Sequence, residues 1–371
     1  MSLFYYFPVC KGVGNGEVDR GIVLAMTLVA TFTSASSFIG GPGIAYTKGL
    51  VWVYLSMIQV PTAFIILAIL GKKFGMISRK IGAVTVTDYL KERYQSKTVA
   101  ILASICLVIF FIAQMMSQFI GGAVLFQEIT GLSYIYGLAL FGIVVILYTA
   151  FGGFRAVVIT DTIQGIIMVL GGFIMIFTII HVAGGTDMLL AKLNTANPHW
   201  SDIAGDGATP KAFVMSTVSS LLLLASAGIV KDIYHNYVMD ATVKDTSSGE
   251  KKISKLSIFT TLVVGIIVFV FTVYPPDLIV WINLFAMGGL ECAFFCPIIF
   301  GLYWKKANAT GAVISMLCGV VGFLLLNQFK VSMFGTTAIV PGILISVLTF
   351  VVGSLVGKKT SDDTLKLFFD K

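Results

Sequence analysis

The sequence predicts an all-α, polytopic membrane protein, a bundle of about ten transmembrane helices, and three observations carry that prediction. Of 371 residues 57% are apolar and only 12% charged, and the mean hydropathy is +0.96. Ordinary soluble domains do not have that balance. Predominantly apolar runs of about 20 residues, the length a helix needs to cross roughly 30 Å of hydrocarbon, recur along the chain. The Lys and Arg residues then fall on alternate connections. Only Lys48, Lys192, Lys211 and Lys330 lie on one side, against 21 of the 25 basic residues on the other. This positive-inside pattern predicts an even number of spans with both termini in the cytoplasm. The formal charge of +7 is thus a topology signal and implies no nucleic acid partner.

The predicted spans are Gly21 to Tyr46, Val51 to Gly71, Val99 to Ala123, Tyr136 to Phe151, Val157 to Val182, Ala212 to Val230, Ser254 to Tyr274, Leu278 to Gly301, Ala309 to Phe329 and Thr336 to Gly357. They divide the chain into a short leader (1–20), a transmembrane bundle (21–357) and a cytoplasmic tail (358–371). Within the leader, Gly12 to Asp19 lacks both the preceding strand and the following Lys of a phosphate loop.

The first span contains Thr31 to Tyr46, TFTSASSFIGGPGIAY. Gly40, Gly41 and Gly43 weaken a helix there and Pro42 removes a backbone donor, so the helix is expected to stop halfway. Carbonyls of Ser34 to Phe38 would then lack helical partners, which hydrocarbon tolerates only where they face protein, water or an ion. Two readings stand: a kinked packing helix, or a break that faces an ion.

The second span ends in a basic stretch where Thr87 and Asp88 either cap a short interfacial helix or belong to a solvated connector, the simpler reading. Gln114, Ser117 and Gln118 in the third span either bond a neighbouring helix or line a pathway. Phe151 to Gln164, FGGFRAVVITDTIQ, places a Gly152–Gly153 turn before the fifth span and Asp161 within it. A carboxylate at that depth costs about 2.5–3.5 kcal/mol on insertion scales, so Asp161 is expected to have a partner. Residues 183 to 211 read as an extracytoplasmic connector. In the sixth span Ser216 shares a helix face with Ser219 and Ser220, and such hydroxyls either glue helices or complete a small-cation site. Glu291 in the eighth span is a second intramembrane acid and a candidate by default. Cys292 and Cys296 share a face and read as packing residues, and the ninth and tenth spans hold nothing ionisable. His181, His199 and His235 are scattered and no catalytic motif is present, so an enzyme is disfavoured.

Four of these stretches in order, the broken span, FGGFRAVVITDTIQG, MSTVSSLLLLASAGIVKDIY and WINLFAMGGLECAFFCPIIFGLYWKKAN, resemble the sodium/solute symporter family, and within it the pantothenate carriers. The resemblance covers nearly everything from Gly21 onward. It implies a LeuT-like fold of two inverted helix repeats, in the plasma membrane and in contact with its lipid, that couples solute uptake to a sodium gradient by alternating access. It also implies a sodium site from the carbonyls of Ala35, Phe38 and Phe213 and the hydroxyls of Ser216 and Thr217. Asp161 would serve coupling or gating, Ser37, Gln114 and Gln118 would contact the solute, pantothenate, and no other cofactor or metal is implied. Two departures accompany the resemblance: Met1 to Arg20 does not supply the span that family members carry first, and two helices expected before the serine-rich helix are missing near Thr209 to Phe213. A transport-incompetent remnant or scaffold, and a sodium symporter for another small organic anion, are the competing readings.

Overall fold

A computed structural model describes residues 23, 25–27, 29–30, 33–34, 37, 40–50, 52–53, 57, 72–83, 85–196, 198, 200–201, 247–274, 279–329, 331 and 338–369. In chain order its helices are α1 (Gly41–Lys48), α2 (Lys72–Lys80), α3 (Val86–Tyr94), α4 (Lys97–Thr130), α5 (Tyr134–Gly153), α6 (Ala156–Ala183), α7 (Thr186–Ala196), α8 (Ser247–Thr272), α9 (Ile279–Tyr303), α10 (Ala309–Gln328), α11 (Ile339–Val356) and α12 (Asp362–Phe369). Among the described residues there is no strand. Seven of these helices (α4, α5, α6, α8, α9, α10 and α11) hold a stretch long and apolar enough to cross a membrane. Each coincides with a predicted span. The remaining three predictions, 21–46, 51–71 and 212–230, lie wholly or partly outside the described residues.

Helix α4 is the packing centre, touching α5, α8, α9 and α10. Its residues Phe110, Met115, Phe119 and Ala123 are buried in the largest apolar cluster. Contact with α9 is close enough that a Cβ on Gly289 would fall within the Phe110 ring. The last two spans form a tight pair: Gly311 of α10 lies against Gly353 and Ser354 of α11, and the Asn308 side-chain amide donates to the Ser354 carbonyl at 2.8 Å. The predicted turn before the fifth span is present, with Gly153 in a left-handed conformation (φ 59°) between α5 and α6. Glycine adopts this φ without the steric cost a side chain would incur.

The basic stretch after the second span departs from the simpler expectation. It is a packed helix, α3, and its cap is Thr85 rather than Thr87. The Thr85 hydroxyl accepts from the Asp88 N–H and the Asp88 carboxylate accepts from the Thr85 N–H, both at 3.0 Å, a reciprocal capping box. Tyr89, Leu90, Arg93 and Tyr94 on its other face are buried. Arg93 has no exposed surface and reaches the end of α9, donating from Nε to the Gly301 carbonyl at 2.7 Å and from Nη2 to the Trp304 carbonyl at 3.1 Å. The Tyr94 hydroxyl donates to the Pro297 carbonyl at 2.7 Å, and Lys73 of α2 donates to the Leu302 carbonyl. Of these acceptors Gly301 and Leu302 lie in the last turn of α9, where helix geometry leaves carbonyls unpaired and partially negative, and Trp304 lies just after it, shared with the Ala307 N–H. Burial pulls the Arg93 guanidinium below its ordinary value and pushes the Tyr89 and Tyr94 phenols up. The predicted tail folds back as α12, which buries Phe368 and lays Phe368 and Phe369 over Arg93 at 5.7 and 5.5 Å from their centroids.

At the opposite end of the bundle the residues after α6 are more than a connector. They form α7, and beyond it Trp200 is buried against the turn that follows α1. Tyr134 at the start of α5 donates to the Thr272 carbonyl at the end of α8, also at this end. Lys73, Arg93 and Lys305 gather around Phe369 at the α3 end.

Candidate functional site

The first span does break, at Thr33 and Ser34, which are not helical. The break lies upstream of the glycines held responsible for it. Gly41, Pro42 and Gly43 instead form the first turn of α1, where proline's missing N–H would have had no helical partner. Ser34 and Ser37 hold the break from within. The Ser34 N–H donates to the Ser37 hydroxyl at 3.1 Å, the two hydroxyls are 3.1 Å apart, and the Ser37 N–H donates to the Ser34 carbonyl at 2.9 Å. The Ser34 carbonyl therefore has a partner, against expectation, and Ser37, a predicted solute contact, is a keystone of the turn. Ala35 and Phe38 lie outside the described residues, as do Phe213, Ser216 and Thr217.

Asp161 is fully buried one turn and a half into α6, and, as its desolvation requires, it is not without a partner. Its neighbouring hydroxyls are used locally: Thr160 donates to the Val157 carbonyl at 2.9 Å and Thr162 to the Val158 carbonyl at 2.7 Å. One turn further, Gly165 brings α6 against the first span, since a Cβ there would meet the Met26 carbonyl at 2.5 Å. Thr27, next to Met26, is fully buried, and its hydroxyl has no hydrogen-bond partner among the described residues. Asp161 and the inner part of the broken span thus share one interhelical seam.

Gln114, Ser117 and Gln118 stand at helical spacing on α4 and are all buried. Gln114 Nε2 donates to Asn283 Oδ1 at 3.5 Å and to Met287 Sδ at 3.3 Å, both on α9. The Ser117 hydroxyl donates to the Gln114 carbonyl at 2.8 Å, and Gln118 Nε2 donates to Ser117 Oγ at 3.4 Å. Gln114 Oε1 is buried and has no hydrogen-bond partner among the described residues. A buried amide oxygen left without a donor costs on the order of 1–3 kcal/mol, and Gln114 Oε1 is an acceptor that no described residue fills. Asn283 is the member that the residues alone did not single out, and an amide inside an apolar run was its only signal. Its neighbour Leu284 packs with Trp52 against Ile44 and Ala45 of α1, which ties the strip to the outer half of the broken span. Glu291 is not part of the strip: it is exposed on α9 and makes no hydrogen bond among the described residues.

The family model described as the sodium:solute symporter family matches residues 13–213 and 207–319. The sodium/pantothenate symporter of Escherichia coli (strain K12) is 35% identical over 439 aligned positions, 93% of this chain and 90% of that protein. Its counterpart from Haemophilus influenzae (strain ATCC 51907 / DSM 11121 / KW20 / Rd) is 33% identical over 464 positions, 98% and 95% of the two chains. A solved structure of a Na+-coupled sialic acid symporter, substrate-bound and outward-open, superposes with a TM-score of 0.72 over 97% of this chain and 98% of its own, at 16% identity. That likeness establishes the fold. An alignment of 439 positions on a chain of 371 leaves at least 68 positions of the Escherichia coli relative without a counterpart here (439 against 371). The two stretches matched by the family model overlap at 207–213. These relatives are carriers rather than enzymes, and the chain belongs to the sodium:solute symporter family.

Proposed function

We propose that this protein takes up pantothenate together with sodium by alternating access. The observation that carries the reading is 33–35% identity to two sodium/pantothenate symporters over at least 90% of their lengths. The geometry supports it in kind: a broken first span, an acid buried beside that span's inner part, and a polar strip between α4 and α9 with an unmatched acceptor. In this reading sodium is held by the carbonyls of Ala35, Phe38 and Phe213 and the hydroxyls of Ser216 and Thr217. Hard cations prefer such oxygen ligands. Asp161 couples sodium occupancy to movement of α6 against the first span. Gln114 and Gln118 contact the solute, with Gln114 Oε1 accepting from one of its hydroxyl or amide donors. Ser37 contributes by holding the turn. The protein lies in the plasma membrane with the Arg93 end, and both termini, in the cytoplasm. Equilibrium binding of labelled pantothenate to purified protein tests the site directly. Binding that appears only with sodium supports the reading, and binding indifferent to sodium contradicts it.

A further inference from the structure

Trp200 meets the broken span through two hydrogen bonds of opposite sense. Its indole N–H donates to the Ala45 carbonyl at 3.0 Å, and its own carbonyl accepts from the Leu50 N–H at 2.8 Å. Between these contacts lies Gly49, with φ +78°, where a Cβ would collide with the Trp200 carbonyl. The turn is therefore built around that carbonyl. Helix α7, which connects α6 to this contact, buries none of its own residues, whereas Trp200 is buried. The segment is a strap: it leaves the outer end of α6, crosses the surface, and is fastened at the outer end of α1 by one side chain and its carbonyl. The fastened turn continues inward, because Ala45 and Ile44 pack on Trp52 and on Leu284, the residue after Asn283.

We propose that Trp200 is a positioning residue for the outer half of the broken span, holding α1 against Trp52 and Leu284 and so setting the approach of the break to the polar strip on α4 and α9. It touches neither ion nor solute; it acts through Ala45 and Leu50. Its functional consequence rests on the sodium-coupled reading above, while its structural core can be tested without transport.

The experiment places a thiol by Ala45→Cys, at a half-buried position facing Trp52, in the full-length chain with Cys10→Ser and Cys318→Ser. The rate of alkylation by a maleimide is then read on purified protein. Trp200→Phe keeps an aromatic side chain but removes the donor and part of the indole's packing area. Loss of one hydrogen bond should speed alkylation about threefold to tenfold by loosening α1. Gly49→Ala attacks the same contact from the other side and should act in the same direction, so it serves where Trp200→Phe does not purify. Ser201→Ala, which removes an exposed hydroxyl bonded to Asn194, should leave the rate unchanged. Equal rates with and without the indole N–H overturn the proposal, as does an equal acceleration by Ser201→Ala. In vesicles, Trp200→Phe should raise the sodium concentration for half-maximal uptake about threefold to tenfold while the maximal rate changes less. Absence of sodium-coupled uptake in the parent protein would defeat the proposed function and leave the alkylation result to decide the role of Trp200.

Discussion

Arg93 and Gly301 are 208 residues apart in sequence and joined by a 2.7 Å hydrogen bond from a fully buried guanidinium to a carbonyl in the last turn of α9. Its counterweight is a helix end: carbonyls that α9 itself leaves unpaired, with the rings of Tyr94, Phe368 and Phe369 around the charge. Arg93→Met removes the donors and leaves the Gly301 carbonyl buried and unmet, at about 1–3 kcal/mol, while the Trp304 carbonyl keeps the Ala307 N–H; the loss is offset by the cost of burying a cation. The expected outcome is a lower unfolding temperature in detergent. Arg93→Lys, with one compact ammonium in place of a fork, should fall between Met and the parent.

Gly289 is where α4 and α9 come closest. Gly289→Ala places a methyl against Phe110 and should cost about 1–3 kcal/mol by overpacking. Phe110→Leu opens that space, so the double variant should be more stable than the sum of the single losses predicts. Thermal unfolding of the four proteins measures the coupling directly.

Gln114 and Asn283 test the polar strip. Gln114→Leu removes the unmatched oxygen and the amide that bonds Asn283, and should weaken pantothenate binding about tenfold or more, equivalent to about 1.4 kcal/mol. Asn283→Ala should weaken it less, because that residue acts by orienting Gln114. Isothermal titration at saturating sodium separates these effects from changes in ion affinity.

The ion site is addressed by the pair Ser216→Ala and Thr217→Ala. Removing the two proposed oxygen ligands should abolish most of the sodium-induced rise in unfolding temperature, since a ligand stabilises the folded state only as far as it binds. Ion-induced stabilisation that survives both substitutions would move the site elsewhere.

Hydropathy made the seven spans legible because a membrane helix must be apolar along its whole length, whatever its neighbours are. The break in the first span was also legible, although its position was displaced: the same Gly and Pro residues that interrupt a helix interior are well suited to begin a helix, as they do in α1. Arg93 was counted as one positive charge among many. Its acceptors are backbone carbonyls, which leave no trace in the sequence, so nothing separated it from Arg79 or Lys91. Trp200 stayed hidden for the same reason, as both its partners are main-chain groups. In α3 a short row of charges masked Tyr89, Leu90 and Tyr94. Gln114 and Gln118 were visible as amides in an apolar run, and the pairing of Gln114 with Asn283 became evident only when α4 met α9. The proposed sodium ligands rest on family resemblance, since serine hydroxyls in a membrane helix serve packing as readily as ion binding.

Uptake of labelled pantothenate into proteoliposomes carrying the purified protein tests sodium-coupled transport most directly. An inward sodium gradient should drive accumulation above the external concentration, and replacing sodium with potassium at equal ionic strength should abolish it. Accumulation that is the same with either cation, or no accumulation by correctly inserted protein, would contradict the proposed function.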